Sequence, residues 1–86
     1  MKVAVYDTYV LRKDGEKMHF DILVPDGTEA EQAHTFGHAY LEEKGQGGQP
    51  LTAKECRFCH KEEAKPEVAK AIREKGYYIV EMEGCN

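Results

Sequence analysis

The chain has no tryptophan, no apolar run long enough to cross a bilayer, and fewer basic than acidic residues. Each absence excludes something. A membrane-spanning helix needs about 20 consecutive apolar residues, and none is present. The opening stretch MKVAVYDTYV alternates from its first residues and lacks the apolar region of a signal peptide, which predicts a cytoplasmic, bacterial protein. Twelve basic residues against sixteen acidic ones leave a net charge of −4. Nucleic acid and anionic membranes both require a basic surface, so neither is an expected partner. Three cysteines are an odd number, and in a reducing compartment they predict no disulfide framework. The glycine-rich GQGGQP stretch lacks the Lys-Ser/Thr of a phosphate-binding loop and reads as a connector. Without tryptophan, core bulk rests on five tyrosines and three phenylalanines in 86 residues. That length predicts a single domain over residues 1–86 with a small core.

Periodicity supplies the elements. Residues 2–11 and 17–24 both alternate, and Asp14-Gly15 between them is a two-residue hairpin signal. A turn centred there pairs Tyr9 with Phe20 and Thr8 with Asp21. Val3, Val5, Tyr9 and Leu11 then share a face with Met18, Phe20, Ile22 and Val24. Thr28 followed by Glu31 predicts a capped helix running to about Lys44, with an apolar stripe of Ala30, Ala33, Phe36, Gly37, Tyr40 and Leu41. Gly37 in mid-helix predicts close approach to a sheet. Residues 52–63 are readable as helix or strand, and low helix propensity favours strand. Pro66 opens a second helix with Val68, Ala71 and Ile72 facing inward, and Gly76 ends it. Residues 77–83 form a last strand, predicted central because both faces are apolar. The fold class is α+β, in the order β-β-α-β-α-β. The expected packing is a four-stranded mixed sheet with both helices on one face, following the right-handed crossover rule.

VYDTYV (5–10), MHFD (18–21), ECRFCH (55–60), PEV (66–68) and MEGCN (82–86) occur in an order that resembles a family of small bacterial proteins. It is catalogued as domain of unknown function two thousand twenty-four. The resemblance runs from about Val3 to the last residue. It implies a compact α+β domain and carries no reaction or site residue to transfer.

Cys56-Arg57-Phe58-Cys59-His60 is the most suggestive motif. Covalent haem attachment takes place outside the cytoplasm, and the absence of an export signal or a helical haem pocket makes it the least expected reading. Zinc needs four ligands, and Cys56, Cys59, His60 and Cys85 are the candidates, with His19 as another donor. On a strand, however, Cys59 points away from Cys56 and His60. Redox chemistry needs a thiol of depressed pKa, for which Arg57 is a neighbour. The simplest reading is that of small apolar fillers.

His34 and His38 have the spacing of a helical metal pair, but Thr35 stands where the glutamate of the metalloprotease motif would be, and both read as solvated. In the hairpin register above, Thr8, His19 and Asp21 gather on the face opposite the main apolar one, either as an acid–base cluster or as a cross-strand hydrogen-bonded pair. Asp7 falls on the apolar face opposite Ile22. It therefore requires a donor such as Arg57, a tyrosine hydroxyl or backbone N–H groups, or else sits protonated as a general acid. Tyr6, Val10 and Leu23 remain as a mixed surface that predicts a partner site or a homodimer contact. The functional expectation is a binding or interaction module. A zinc or other transition-metal protein built on the cysteines is the alternative. A small enzyme or thiol-redox protein comes third.

Overall fold

The computed structural model describes residues 1–86. The chain runs β1 (Lys2–Leu11), β2 (Lys17–Pro25), α1 (Ala30–Glu43), β3 (Cys56–Glu63), α2 (Pro66–Lys75) and β4 (Tyr78–Glu83). The element order is the expected one. The sheet order is β3-β1-β2-β4, and every neighbouring pair is antiparallel. The sheet is therefore not mixed, and β4 is an edge strand rather than a central one.

The hairpin turn is one residue longer than expected, and this decides the site. The Arg12 N–H donates to the Glu16 carbonyl at 2.7 Å, and the Gly15 N–H donates to the Arg12 carbonyl at 3.0 Å. Gly15 has a φ of +89° and no other residue of the loop is positive. A type I′ turn needs positive φ at both central residues, whereas a three-residue loop needs it only at its last. Lys13-Asp14-Gly15 is that three-residue loop. The register moves by one, so Tyr9 faces His19, Thr8 faces Phe20 and Asp7 faces Asp21. A one-residue shift carries a whole strand's side chains to the other face. The predicted grouping of Val3, Val5, Tyr9 and Leu11 with Met18 and Phe20 is accordingly broken.

One face is formed by Ala4, Tyr6 and Val10 of β1 with Met18, Phe20, Ile22 and Val24 of β2, and packs against Ala33, Tyr40 and Leu41 of α1. On the other face Val3, Val5 and Leu23 pack against Val68 and Ile72 of α2. The two helices thus lie on opposite faces. The crossover rule governs connections between parallel strands. β2 and β3 are both antiparallel to β1 and hence parallel to each other, so α1 links a parallel pair. β3 and β4 run in opposite directions, so the rule does not constrain α2.

α1 begins one residue later than its sequence signal. Its N-cap is Glu29, without a side-chain cap bond. The Thr28 N–H instead closes a turn onto the Pro25 carbonyl at 3.1 Å. The helix ends in a Schellman pair: Gly45 N–H to Glu42 O at 3.1 Å and Gln46 N–H to Leu41 O at 2.8 Å. Gly37 is buried, and a Cβ there would lie 2.6 Å from Leu51 Cδ1 and 3.0 Å from Ile22 Cδ1. The expected close approach to the sheet is present, with Leu51 wedged into it. The Thr52-x-x-Glu55 signal forms a single turn, in which Glu55 Oε1 accepts from the Thr52 N–H and hydroxyl at 2.8 Å each, and β3 follows directly.

Candidate functional site

α2 covers only part of its face. Val3, Val5 and Leu23 lie beneath it, while the rest of β1 and β2 carries Asp7, Tyr9 and Leu11 beside Asp21, His19 and Lys17. Tyr9 and Leu11 are 44% and 59% exposed. Arg57 of β3 is the register partner of Asp7 on its other side. An aromatic platform, two carboxylates, an imidazole and two cations therefore share an uncovered patch across β3, β1 and β2.

The polar geometry is close. His19 Nε2 lies 2.6 Å from Asp7 Oδ1. The His19 ring stacks on Tyr9 with centroids 4.1 Å apart and an interplanar angle of 11°. Lys17 Nζ sits 5.8 Å from the Tyr9 ring centroid. Asp7, His19 and Asp21 each offer a ligand atom, and these atoms lie within 4.8 Å of one another. Partial burial, followed by the charge of Asp7 and a hydrogen bond shared with it, pushes the Asp21 carboxyl up to about 6. His19 and His60 offset part of this rise. Carboxylates placed directly opposite across two strands repel. A proton held between them below about pH 6 removes most of that repulsion, and at neutrality a bound cation would do the same.

Asp7 is thus bonded, but not by the donors the sequence suggested: its partner is His19, and it faces Asp21 rather than Ile22. Thr8 is not in the cluster. It is fully buried on the α1 face, where its hydroxyl donates to the Tyr6 carbonyl at 3.2 Å and lies against the Cys56 thiol. A two-residue turn sets Asp7 against Ile22 and Tyr9 against Phe20 on the apolar face, which separates both from His19 and Asp21. With the longer loop, Asp-x-Tyr in β1 and His-x-Asp in β2 fall on one face.

The cysteines are not brought together. Cys56 is buried in the α1-face core, and burial pushes its thiol up. Cys85 is buried on the same side, with Sγ 3.5 Å from the His19 carbonyl and 3.4 Å from that of Glu83. Cys59 is exposed in β3, at a bulge that follows the Tyr6–Phe58 pair. His60 is exposed beside it. No three ligand atoms among Cys56, Cys59, His60 and Cys85 form a group close enough for one metal ion. His38 is exposed and His34 half-buried on α1. The expected dimer residues Tyr6, Val10 and Leu23 are 7%, 1% and 3% exposed, so that patch lies inside the fold.

Three surface depressions occur, and none joins His19 to Asp21. One of about 410 Å³ is lined by Asp7, Tyr9, Lys54, Glu55 and Arg57. One of about 550 Å³ lies by the hairpin loop, and one of about 540 Å³ runs along β4 between the ends of α1 and α2. The site is a flat sheet surface with a cleft at its β3 side.

An antiparallel sheet with one helix on each face and an open polar patch defines a small α+β domain. The chain belongs to the family described as Domain of unknown function (DUF2024), whose model matches residues 1–82. It is similar to protein NE1680 from Nitrosomonas europaea, whose structure was determined by NMR. The two share 48% identity over 100% of each chain, with a TM-score of 0.87. Comparison with curated proteins gives no match.

Proposed function

We propose that the chain is a binding module whose contact surface is the part of the sheet that α2 leaves open, and that this surface takes a cationic group between Asp7 and Asp21. The observation behind this reading is the cross-strand pairing of two carboxylates beside Tyr9 on an exposed, flat face. A flat surface suits a partner's side chain better than an enclosed substrate. An incoming cation replaces the shared proton, and Tyr9 adds an aromatic surface for a flat cation such as guanidinium. A second reading, a divalent metal ion held by Asp7, His19 and Asp21, is favoured by the closeness of their ligand atoms.

The test is amide-resolved NMR titration with a tri-arginine peptide and, separately, with zinc. Specific binding perturbs Asp7, Tyr9, His19, Asp21 and Arg57 together and disappears in Asp21→Asn. Because the cation competes with a proton, affinity falls by up to about tenfold per pH unit below the Asp21 midpoint near 6. Perturbation by zinc alone supports the metal reading. Zinc shifts that centre on Cys59 and His60 and survive Asp21→Asn return the metal to the cysteine segment. No perturbation by either probe removes the cation reading. Sedimentation separates self-association: a dimer lost in Tyr9→Glu would place a second copy on this face.

A further inference from the structure

The Cys56–His60 segment holds a second arrangement, on β3 beside the face just described and built from other residues. Cys59 is exposed, and its Sγ lies 3.2 Å from Nδ1 of His60. His60 Nε2 lies 2.8 Å from Oε1 of Glu62. These three exposed residues form a chain of thiol, imidazole and carboxylate along β3. The bulge of β3 makes it possible, because on a regular strand Cys59 and His60 would point to opposite faces. Two register partners fix the local geometry: Tyr6 pairs with Phe58 and Val5 with His60, so Cys59 is the extra residue.

The tautomer follows from the partners. An ionised carboxylate only accepts, so His60 carries a proton on Nε2 and donates it to Glu62. Nδ1 of the neutral ring is then an acceptor aimed at the thiol. When the proton moves from Sγ to Nδ1, the same contact holds thiolate and imidazolium together, and Glu62 supports the positive ring. Nucleophile, base and orienting carboxylate are thus in the order that activates a cysteine. Lys61 does not compete for Glu62, because its ammonium lies 2.9 Å from Asp26. Cys56 and Cys85 are buried and have no such base, so they serve as internal controls.

We infer that Cys59 is a base-assisted nucleophilic thiol whose substrates are small-molecule disulfides. In the step, the Cys59 proton passes to His60 Nδ1 and the thiolate attacks one sulfur of the disulfide. A new sulfur–sulfur bond forms as the old one breaks. The departing thiolate recovers the proton from His60 and leaves as a thiol. Cys59 ends oxidised in a mixed disulfide, and the released half of the reagent is reduced. No buried cysteine can reach in to resolve it, so the product is a stable one-to-one adduct until a second thiol removes it.

The experiment is the rate of dithiodipyridine reduction by the full chain, with the modified residue located by peptide mass spectrometry. His60 and Glu62 are about half exposed and solvent screens them, so the effect is modest. At pH 7, wild type is expected to form the Cys59 adduct about five- to tenfold faster than His60→Gln, with Glu62→Gln between them. Near pH 9.5, where an ordinary thiol is ionised without help, the rates are expected to converge to within about twofold. The fast phase vanishes in Cys59→Ser. Equal rates at pH 7 overturn the proposal, as does a His60→Gln deficit that persists at high pH, which would reflect access rather than base assistance. All three substituted positions lie on an exposed edge, and an amide NMR spectrum confirms that each variant is folded.

Discussion

Replacing Asp21 by asparagine should make the protein more stable at neutral pH. The carboxyl is raised from 3.8 to about 6 in the folded chain, first by burial and then by Asp7. A group held more tightly protonated in the folded state stabilises the fold fully below its unfolded value. That contribution is lost as pH rises through the folded value. The rise corresponds to at most about 3 kcal/mol, and solvent at this half-open position reduces it to roughly 1–2 kcal/mol. Asparagine keeps the hydrogen-bond donor that protonated Asp21 presents to Asp7 and carries no charge to repel it. Thermal unfolding followed by circular dichroism should therefore give nearly equal stabilities for the two proteins near pH 4. The curves should separate between about pH 4 and 6, with Asp21→Asn ahead by roughly 1–2 kcal/mol at pH 7. For a domain of this size each kcal/mol moves Tm by about 4–8 °C. A variant that is equal or less stable at pH 7, or a difference that does not change with pH, would refute the facing-carboxylate argument.

Two glycines offer tests of the packing that holds the site. Gly37→Ala places a methyl 2.6 Å from Leu51 Cδ1 and 3.0 Å from Ile22 Cδ1, both in fully buried side chains. Urea unfolding should show a loss of about 1–3 kcal/mol despite alanine's better helix propensity, and Leu51→Ala in the same chain should relieve part of it. Gly84→Ala sets a methyl 2.1 Å from the Lys17 carbonyl oxygen at a φ of +67°, where the neighbour is backbone. The loss should reach about 2 kcal/mol or more, read as a shift of the urea midpoint with the slope unchanged.

The limits of the sequence reading lie in particular residues. Element order was legible because α1 and α2 carry helical stripes and β2 alternates cleanly. β1 was not clean: Val3 and Val5 point to one helix and Ala4 and Tyr6 to the other, so its pattern fits either register. The turn had to decide, and Asp-Gly fits both a two-residue loop and the end of a three-residue one. The same double burial made β4 look central, since Ile79 packs on the α1 side and Tyr78 and Val80 on the α2 side of an edge strand. His19 and Asp21 were found as site residues because their spacing within β2 does not depend on the register. Their partners Asp7 and Tyr9 do depend on it, and the shorter loop sets Thr8 opposite Asp21 instead. The exposed β3 was recognised as a strand, but no sequence signal marks the bulge that turns Cys59 towards His60.

Asp7 and Asp21 face each other on an open surface and share a proton below about pH 6. Carboxyl-detected NMR of the labelled protein across pH 3 to 9 tests it directly, by following the Asp21 Cγ resonance. The expected Asp21 midpoint is near 6. An Asp21 midpoint near 4, in the ordinary aspartate range, would contradict it.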